Sequence, residues 1–178
     1  MNKEEKKLSS ELIYDGKVIK ISKDEVLCPN GNKSLREIVH HRGGVGILFK
    51  LGDKFVFEKQ YRYAFNEEII EIPAGKLEEG EIPLIAAERE LLEETGYRPL
   101  EMIYLGKMYP TVGYSNEVIH LYYCEKAKKE ERHLDNDECI DLCLYTLKEI
   151  EEMIAENKIK DSKSIIAISL YKIKILKH

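Results

Sequence analysis

The 178-residue chain has no tryptophan, only four phenylalanines, five prolines and four cysteines, and no excess of basic residues. Each shortage excludes something. Cys28, Cys124, Cys139 and Cys143 form no Cys-x-x-Cys pair, and no histidine stands at zinc-site spacing from Cys139 or Cys143. They read as reduced thiols, not as a disulfide framework or a metal site. With 28 Lys+Arg against 33 Asp+Glu, the net charge is −5 and no basic stripe stands out, so nucleic acid is not an expected partner. No apolar run approaches the roughly 18 residues of a membrane helix, so no membrane is expected either. The charged start, Met1 to Lys7, has no apolar stretch behind it and does not read as a secretory signal. The expected location is the cytoplasm. What is present, 43% hydrophobic and 34% charged residues, suffices for one domain with a core, or a domain with a small appendage.

Along the chain, short β-like runs alternate with turn signals over the first forty residues: Glu11–Tyr14, a turn at Asp15-Gly16, Lys17–Leu27, a turn at Pro29–Asn32, then Ser34–His41. A small antiparallel sheet fits this pattern. Further strands are expected at Gly44–Lys50, Lys54–Tyr61, Glu68–Ile72, Glu101–Met108, Glu117–Cys124 and Ile140–Tyr145. Helices are expected at Pro83–Thr95, Leu147–Glu156 and from Ser162 to about Leu176, the last with apolar residues at Ile165, Ile166, Ile168, Leu170 and Ile173 and covering one face of the sheet. The Lys/Glu-rich stretch from Glu125 to Asp137 lacks periodicity and reads as a mobile loop. Mixed strands with few helices point to an α+β sandwich.

The chemistry concentrates in one helix. Pro83 opens it and Gly96 follows its end, the usual punctuation. At about 100° per residue, Glu90, Glu93 and Glu94 share one face, beside an apolar stripe of Leu84, Ala87 and Leu91. Three carboxylates at this spacing repel by roughly a few tenths of a kcal/mol per pair, and they lie where the helix dipole disfavours anions. A solvated acidic face is one reading. A hard divalent cation, taking carboxylate oxygens and cancelling the repulsion, is the other.

The wider spacing favours the cation. Gly75, Glu81, Arg89, Glu90, Leu91, Glu93, Glu94, Gly96 and Tyr97 meet every position of the Nudix signature, nine positions within 23 residues. The segment resembles a Nudix box, and the resemblance implies an α/β/α sandwich with a mixed sheet and a helix whose glutamates hold Mg²⁺ or Mn²⁺. Carried over by position, Glu90 and Glu94 are the principal metal ligands and Glu93 an additional, catalytic one. The backbone carbonyl of Ala74 is a further ligand, Arg89 orients a glutamate, and Glu81 supports the loop. The family splits nucleoside diphosphates linked to another group. The division this implies is an N-terminal β segment at 1–40, which in such enzymes commonly builds a homodimer, and a hydrolase domain at 41–178.

Outside the box, Glu58-Lys59-Gln60-Tyr61-Arg62-Tyr63, Glu71-Ile72-Pro73-Ala74-Gly75 and Ser34–Val39 resemble the ADP-ribose pyrophosphatase branch. The branch implies that Arg36 and Arg62 contact phosphate or ribose and that Glu71 helps recognise the adenosine end. The loop Tyr109–Glu117 resembles one that carries a substrate-class proline fifteen residues beyond the box. Here that place is Val112, with Pro110 two residues earlier, while Glu117 matches the loop's glutamate. By position within Asp135–Asp141, Glu138 is the expected base and Asp141 the second choice. The expected reaction is hydrolysis of ADP-ribose to AMP and ribose 5-phosphate. Its alternatives are another nucleoside diphosphate, such as a nucleotide sugar or dinucleotide, and a Nudix-fold nucleotide sensor that does not cleave. Other motifs fail on inspection. Gly113-Tyr114-Ser115-Asn116-Glu117 lacks the last glycine of a serine-hydrolase elbow, an EF-hand glycine would fall at Ile140, and Gly43-Gly44-Val45-Gly46 precedes a strand.

Overall fold

The computed structural model describes residues 3–134 and 139–177, in two compact units: Met1–Gly43 with Tyr109–Val118, and Gly44–Met108 with Ile119–His178. In the first unit, β1 (Lys6–Asp15), β2 (Ile19–Leu27) and β3 (Lys33–His41) form an antiparallel meander. Its turn at Asn30-Gly31 needs the left-handed backbone that Gly31 adopts (φ 84°). β2 alternates, burying Ser22, Asp24 and Val26, whereas all ten residues of β1 are exposed. The 109–118 loop joins this unit because the Val39 amide donates to the Tyr114 carbonyl (2.7 Å) and the His41 amide to Asn116 Oδ1 (2.8 Å).

The second unit runs β4 (Gly44–Leu51), β5 (Lys54–Arg62), β6 (Glu67–Glu71), β7 (Ala74–Lys76), α1 (Pro83–Thr95), β8 (Tyr97–Pro99), β9 (Ile103–Met108), β10 (Ile119–Cys124), β11 (Ala127–Lys129), β12 (Ile140–Thr146), α2 (Leu147–Ala155) and α3 (Ser162–Lys174). The sheet order is β12-β5-β4-β10-β9, with β6 added on β5 and β7 on β4. β10 lies parallel to β4 and the other pairs are antiparallel, so the sheet is mixed.

Both faces of β4 are covered, which is why its sequence reads as a continuous apolar run. Val45, Ile47 and Phe49 face Ala86, Ala87 and Leu91 of α1. The small alanines let α1 sit close, and Leu84 in its first turn stays partly exposed. On the other face Leu48, Phe55, Phe57, Leu105 and Leu121 meet Ile150 of α2 and Ala167, Ile168 and Tyr171 of α3. Tyr171 is the centre of this layer, with ring centroids 5.0 Å from Tyr123 and 5.2 Å from Phe55. The architecture is the expected α+β sandwich with a mixed sheet, accompanied by an N-terminal antiparallel sheet.

Two expectations change. α3 buries Ser164, Ala167, Ile168 and Tyr171, while Ile173 is exposed. Ile165, Ile166 and Leu170 pack against this core beside Ile168, and spacing of 3.6 residues carries the fully buried stripe through Ser164 and Tyr171 as well. The stretch after Glu125 is also not a loop throughout, because β11 pairs with β8. Its next residues bond the end of α1, through the Glu130 amide to the Gly96 carbonyl (2.8 Å) and the His133 amide to the Glu93 carbonyl (3.2 Å).

The four thiols differ in environment. Cys124 is buried beneath α1, and burial pushes its pKa up to about 11, whereas Cys139 is exposed. Alkylation of the native protein at pH 8, followed by peptide mass spectrometry, is expected to modify Cys139 first and Cys124 only after unfolding. Early labelling of Cys124 would contradict this packing.

Candidate active site

α1 begins without a side-chain cap, since Ile82 holds the N-cap position and Pro83 supplies the pre-set first turn. It ends on Gly96 (φ 74°), whose amide returns to the Leu92 carbonyl at 2.8 Å. No basic residue sits in its last turn. The glutamates there are neutralised by other means.

Arg89 supplies one. Its Nε and Nη2 donate to the two oxygens of Glu81, each at 3.0 Å, a bidentate pair that fixes the guanidinium plane. Its Nη1 then reaches both Glu90 Oε1 (2.8 Å) and Glu93 Oε2 (3.0 Å). Glu81 is fixed in turn by the Glu78 amide (2.9 Å). The Glu81 hydrogen bonds are the largest cause raising the Arg89 pKa, and Arg89 correspondingly holds the Glu81 carboxyl below the usual carboxylate range.

The second means is the backbone amide of Ala74. Glu94 is buried and its Oε2 accepts from the Ala74 amide at 2.8 Å. The buried Glu90 carboxylate lies directly over Gly75, where an added Cβ would stand 1.8 Å from its carboxyl carbon. Gly75 is therefore required by close approach, not by its own dihedral angles. In turn, a Cβ on Gly44 would stand 2.8 Å from the Gly75 carbonyl, so the paired strands β4 and β7 meet through glycines.

Among the described residues, no three carboxylate, imidazole or thiol side chains converge closely enough to hold an ion between them. Arg89 draws Glu90 and Glu93 to itself. What fits a hard cation is the donor chemistry: carboxylates of Glu90, Glu93 and Glu94 and the Ala74 carbonyl, all oxygen. The place a Cβ would take on Gly75 is filled by the Glu90 carboxylate.

Arg62 and Glu71 lie in this same unit. Glu71 is buried and its Oε1 accepts from Arg62 Nε at 2.6 Å, while its Oε2 is bonded by Lys163 of α3. Burial opposes the charge of Glu71, but Arg62 and Lys163 outweigh it and hold the carboxyl below its usual range. Asp141 is exposed on β12, in register with Lys59 of β5. Glu138 lies outside the described residues.

Arg36 and Glu117 belong to the other unit. Arg36 is engaged by Glu5, and its Nη1 donates to the Leu35 carbonyl (2.8 Å). It borders a hollow of about 620 Å³ lined by Ile13, Ile21, Leu35, Val39 and Tyr114. Glu117 stands 3.4 Å from His41 Nδ1.

Three participants escape motif reading: Glu58, buried and in register with Glu71, and Lys163 and Ser164 in the first turn of α3. A signal existed for the last two. Asp161-Ser162-Lys163-Ser164 reads as an N-cap followed by polar residues where a core-facing turn should be apolar.

A family model described as the NUDIX domain matches residues 40–167. The chain belongs to the Nudix family. The Nudix helix is α1, which carries Arg89, Glu90, Glu93 and Glu94. A methanol dehydrogenase activator of Bacillus methanolicus is 43% identical over 98% of this chain and 97% of its own length. An ADP-ribose pyrophosphatase of Bacillus subtilis (strain 168) is 37% identical, over 96% and 94%. Among solved structures, the crystal structure of an ADP compounds hydrolase aligns at a TM-score of 0.86, covering 97% of this chain and 95% of that one. At 17% identity, this likeness speaks for the fold alone.

Gly75→Ala tests the cradle. The nearest atoms to the new methyl belong to the far end of the flexible Glu90 side chain, so the carboxylate moves and the sheet does not. Hydrolysis by the Nudix domain is expected to fall about 100-fold, with the melting temperature nearly unchanged. Full activity in that variant would mean Glu90 need not sit over Gly75.

Proposed function

We propose that this Nudix hydrolase cleaves the pyrophosphate bond of ADP-ribose, with Mg²⁺ or Mn²⁺, to give AMP and ribose 5-phosphate. The observation that carries the reading is the convergence of the buried Glu90 and Glu94 carboxylates on the Ala74–Gly75 backbone, beside the Arg89 clamp. The 37% identical relative named for ADP-ribose supports the substrate class.

Glu90, Glu94, Glu93 and the Ala74 carbonyl would hold the cation. When bound, it neutralises phosphate charge and lowers the pKa of a water. Arg89 orients Glu90 and Glu93 through its hydrogen bonds to both. Arg62, its Nε spent on Glu71, offers the outer edge of its guanidinium to a phosphate or ribose oxygen. Glu138 or Asp141 takes the proton from the attacking water. Arg36 and Glu117 take part in substrate binding by the family resemblance. The partner proposals are a nucleoside diphosphate substrate and a second copy of the chain, formed through the N-terminal sheet, and the proposed location is the cytoplasm. No helix of the described residues is long and apolar enough to cross a membrane.

A second reading rests on the 43% identical relative, named as a methanol dehydrogenase activator. In it, the same hydrolysis serves to activate an alcohol dehydrogenase. Adding the protein to such an enzyme and following its rate tests that reading separately.

The deciding experiment is AMP release from ADP-ribose, nucleotide sugars and dinucleotides, with Mg²⁺ or Mn²⁺ and with chelator. ADP-ribose is expected as the preferred substrate. Glu94→Gln is expected to lower turnover by about two orders of magnitude or more. Preference for another diphosphate would keep the hydrolase and make Val112 the mark of a changed substrate. Tight binding without turnover would make the chain a sensor.

A further inference from the structure

Lys163 poses a problem that the box does not solve. It sits in the first turn of α3 with its side chain 10% exposed, and it is bonded to Glu71 and, at 3.1 Å, to Asp161. Burying an ammonium group costs several kcal/mol before its partners offset it, and a buried ion pair is often no better for stability than apolar side chains of the same size. α3 does not need this lysine to dock. Its N-cap is made by Asp161, which accepts from the Ser164 amide (2.9 Å). Its attachment to the sheet is made by Ser164, whose hydroxyl accepts from the Ile72 amide (2.9 Å), and by Ala167, Ile168 and Tyr171 in the core.

What the lysine does serve is Glu71. The Glu71 carboxylate has two oxygens, one for Lys163 and the other for Arg62 Nε. Its cross-strand neighbour is another buried acid, Glu58. With only Arg62 as partner, the buried carboxylate would carry one oxygen without a cation. The carboxylate would then turn, and the arginine it holds would turn with it. Arg62 keeps 41% of its side chain exposed, and its Nη1 and Nη2 make no hydrogen bond to the described residues. It is fixed from behind and open in front. The lysine stem runs past Gly46 of β4, where an added Cβ would stand 3.7 Å from Lys163 Cδ. The closer neighbours of that Cβ would be Leu121 (3.1 Å) and Ile72 (3.2 Å), so Gly46 is set by core packing and the lysine stem passes at ordinary contact distance.

We propose that Lys163 is a positioning residue for anion binding, acting through Glu71 to hold the Arg62 guanidinium facing the substrate diphosphate. This rests on the hydrolase reading above, in which Arg62 meets a phosphate or ribose oxygen. The chain of contacts joins α3 to the segment that leads into the Nudix helix, so α3 is part of the binding machinery as well as a cover for the sheet.

The test is a double-mutant cycle on binding of a non-hydrolysable methylene analogue of ADP-ribose, measured by calorimetry, alongside KM and kcat for ADP-ribose itself. Lys163→Met is expected to weaken analogue binding and raise KM about 10-fold or more, leaving kcat within a few-fold. In an Arg62→Ala background, the same substitution is expected to change binding by less than about 2-fold. An equal loss in both backgrounds, or no loss in either, would overturn the proposal and leave the lysine a structural residue. Where Lys163→Met unfolds the chain, Glu71→Gln with Lys163→Met removes both buried charges. That pair is expected to restore folding while binding stays weak, and normal binding in it would also overturn the proposal. Failure of the hydrolase reading looks different: the wild type would bind the analogue, with the cycle intact, yet release no AMP from ADP-ribose.

Discussion

Among the described residues the second compact unit buries Glu58, Glu71, Glu90 and Glu94, and much of its architecture is the means of holding the last three. Carboxylates taken out of water need cations or amide donors, or they would be expelled or protonated. Arg89, Lys163 and Arg62 supply the positive charge, and the Ala74 amide supplies a fixed donor. Each lies on a different element, so the sheet, α1 and α3 must all be in place for the acids to be tolerated together. That requirement ties the site to the fold more closely than a surface cluster would be.

The same constraint explains choices that would be poor for stability alone. α1 carries acids near its C-terminal end and no compensating base in the last turn, against its dipole. Gly44 and Gly75 give up side-chain packing so that two strands and a carboxylate can approach one another. Arg89 concentrates four contacts to three glutamates on one guanidinium, a geometry that a lysine's single ammonium does not offer. These features cost folding energy and return a defined arrangement of negative charge, which is what phosphate chemistry with a hard cation demands.

Much of this was legible in the sequence because it is local. Pro83 and Gly96 bracket α1, and the 3.6-residue period puts Glu90, Glu93 and Glu94 together before any tertiary contact is known. The glycine, arginine and glutamates of the box lie within 23 residues. The illegible parts are made across distance or by backbone alone. Strands β7, β8 and β11 have three residues each, too few to show an alternating pattern. Lys163 meets Glu71 across 92 positions, and nothing local marks that pairing. The buried face of α3 was disguised by Ser164 and Tyr171, one bonding the Ile72 amide and the other stacking among aromatic rings.

The proposed hydrolysis requires that Glu90 and Glu94, backed by Ala74 and Gly75, form the seat of a hard divalent cation. Titration of the intact protein with Mn²⁺, followed by electron paramagnetic resonance, measures that directly. The wild type is expected to bind Mn²⁺, and Glu90→Gln to weaken that binding by about 10-fold or more, with Arg36→Ala behaving as wild type. Equal Mn²⁺ binding by wild type and Glu90→Gln would contradict the account, because the cation would then sit elsewhere.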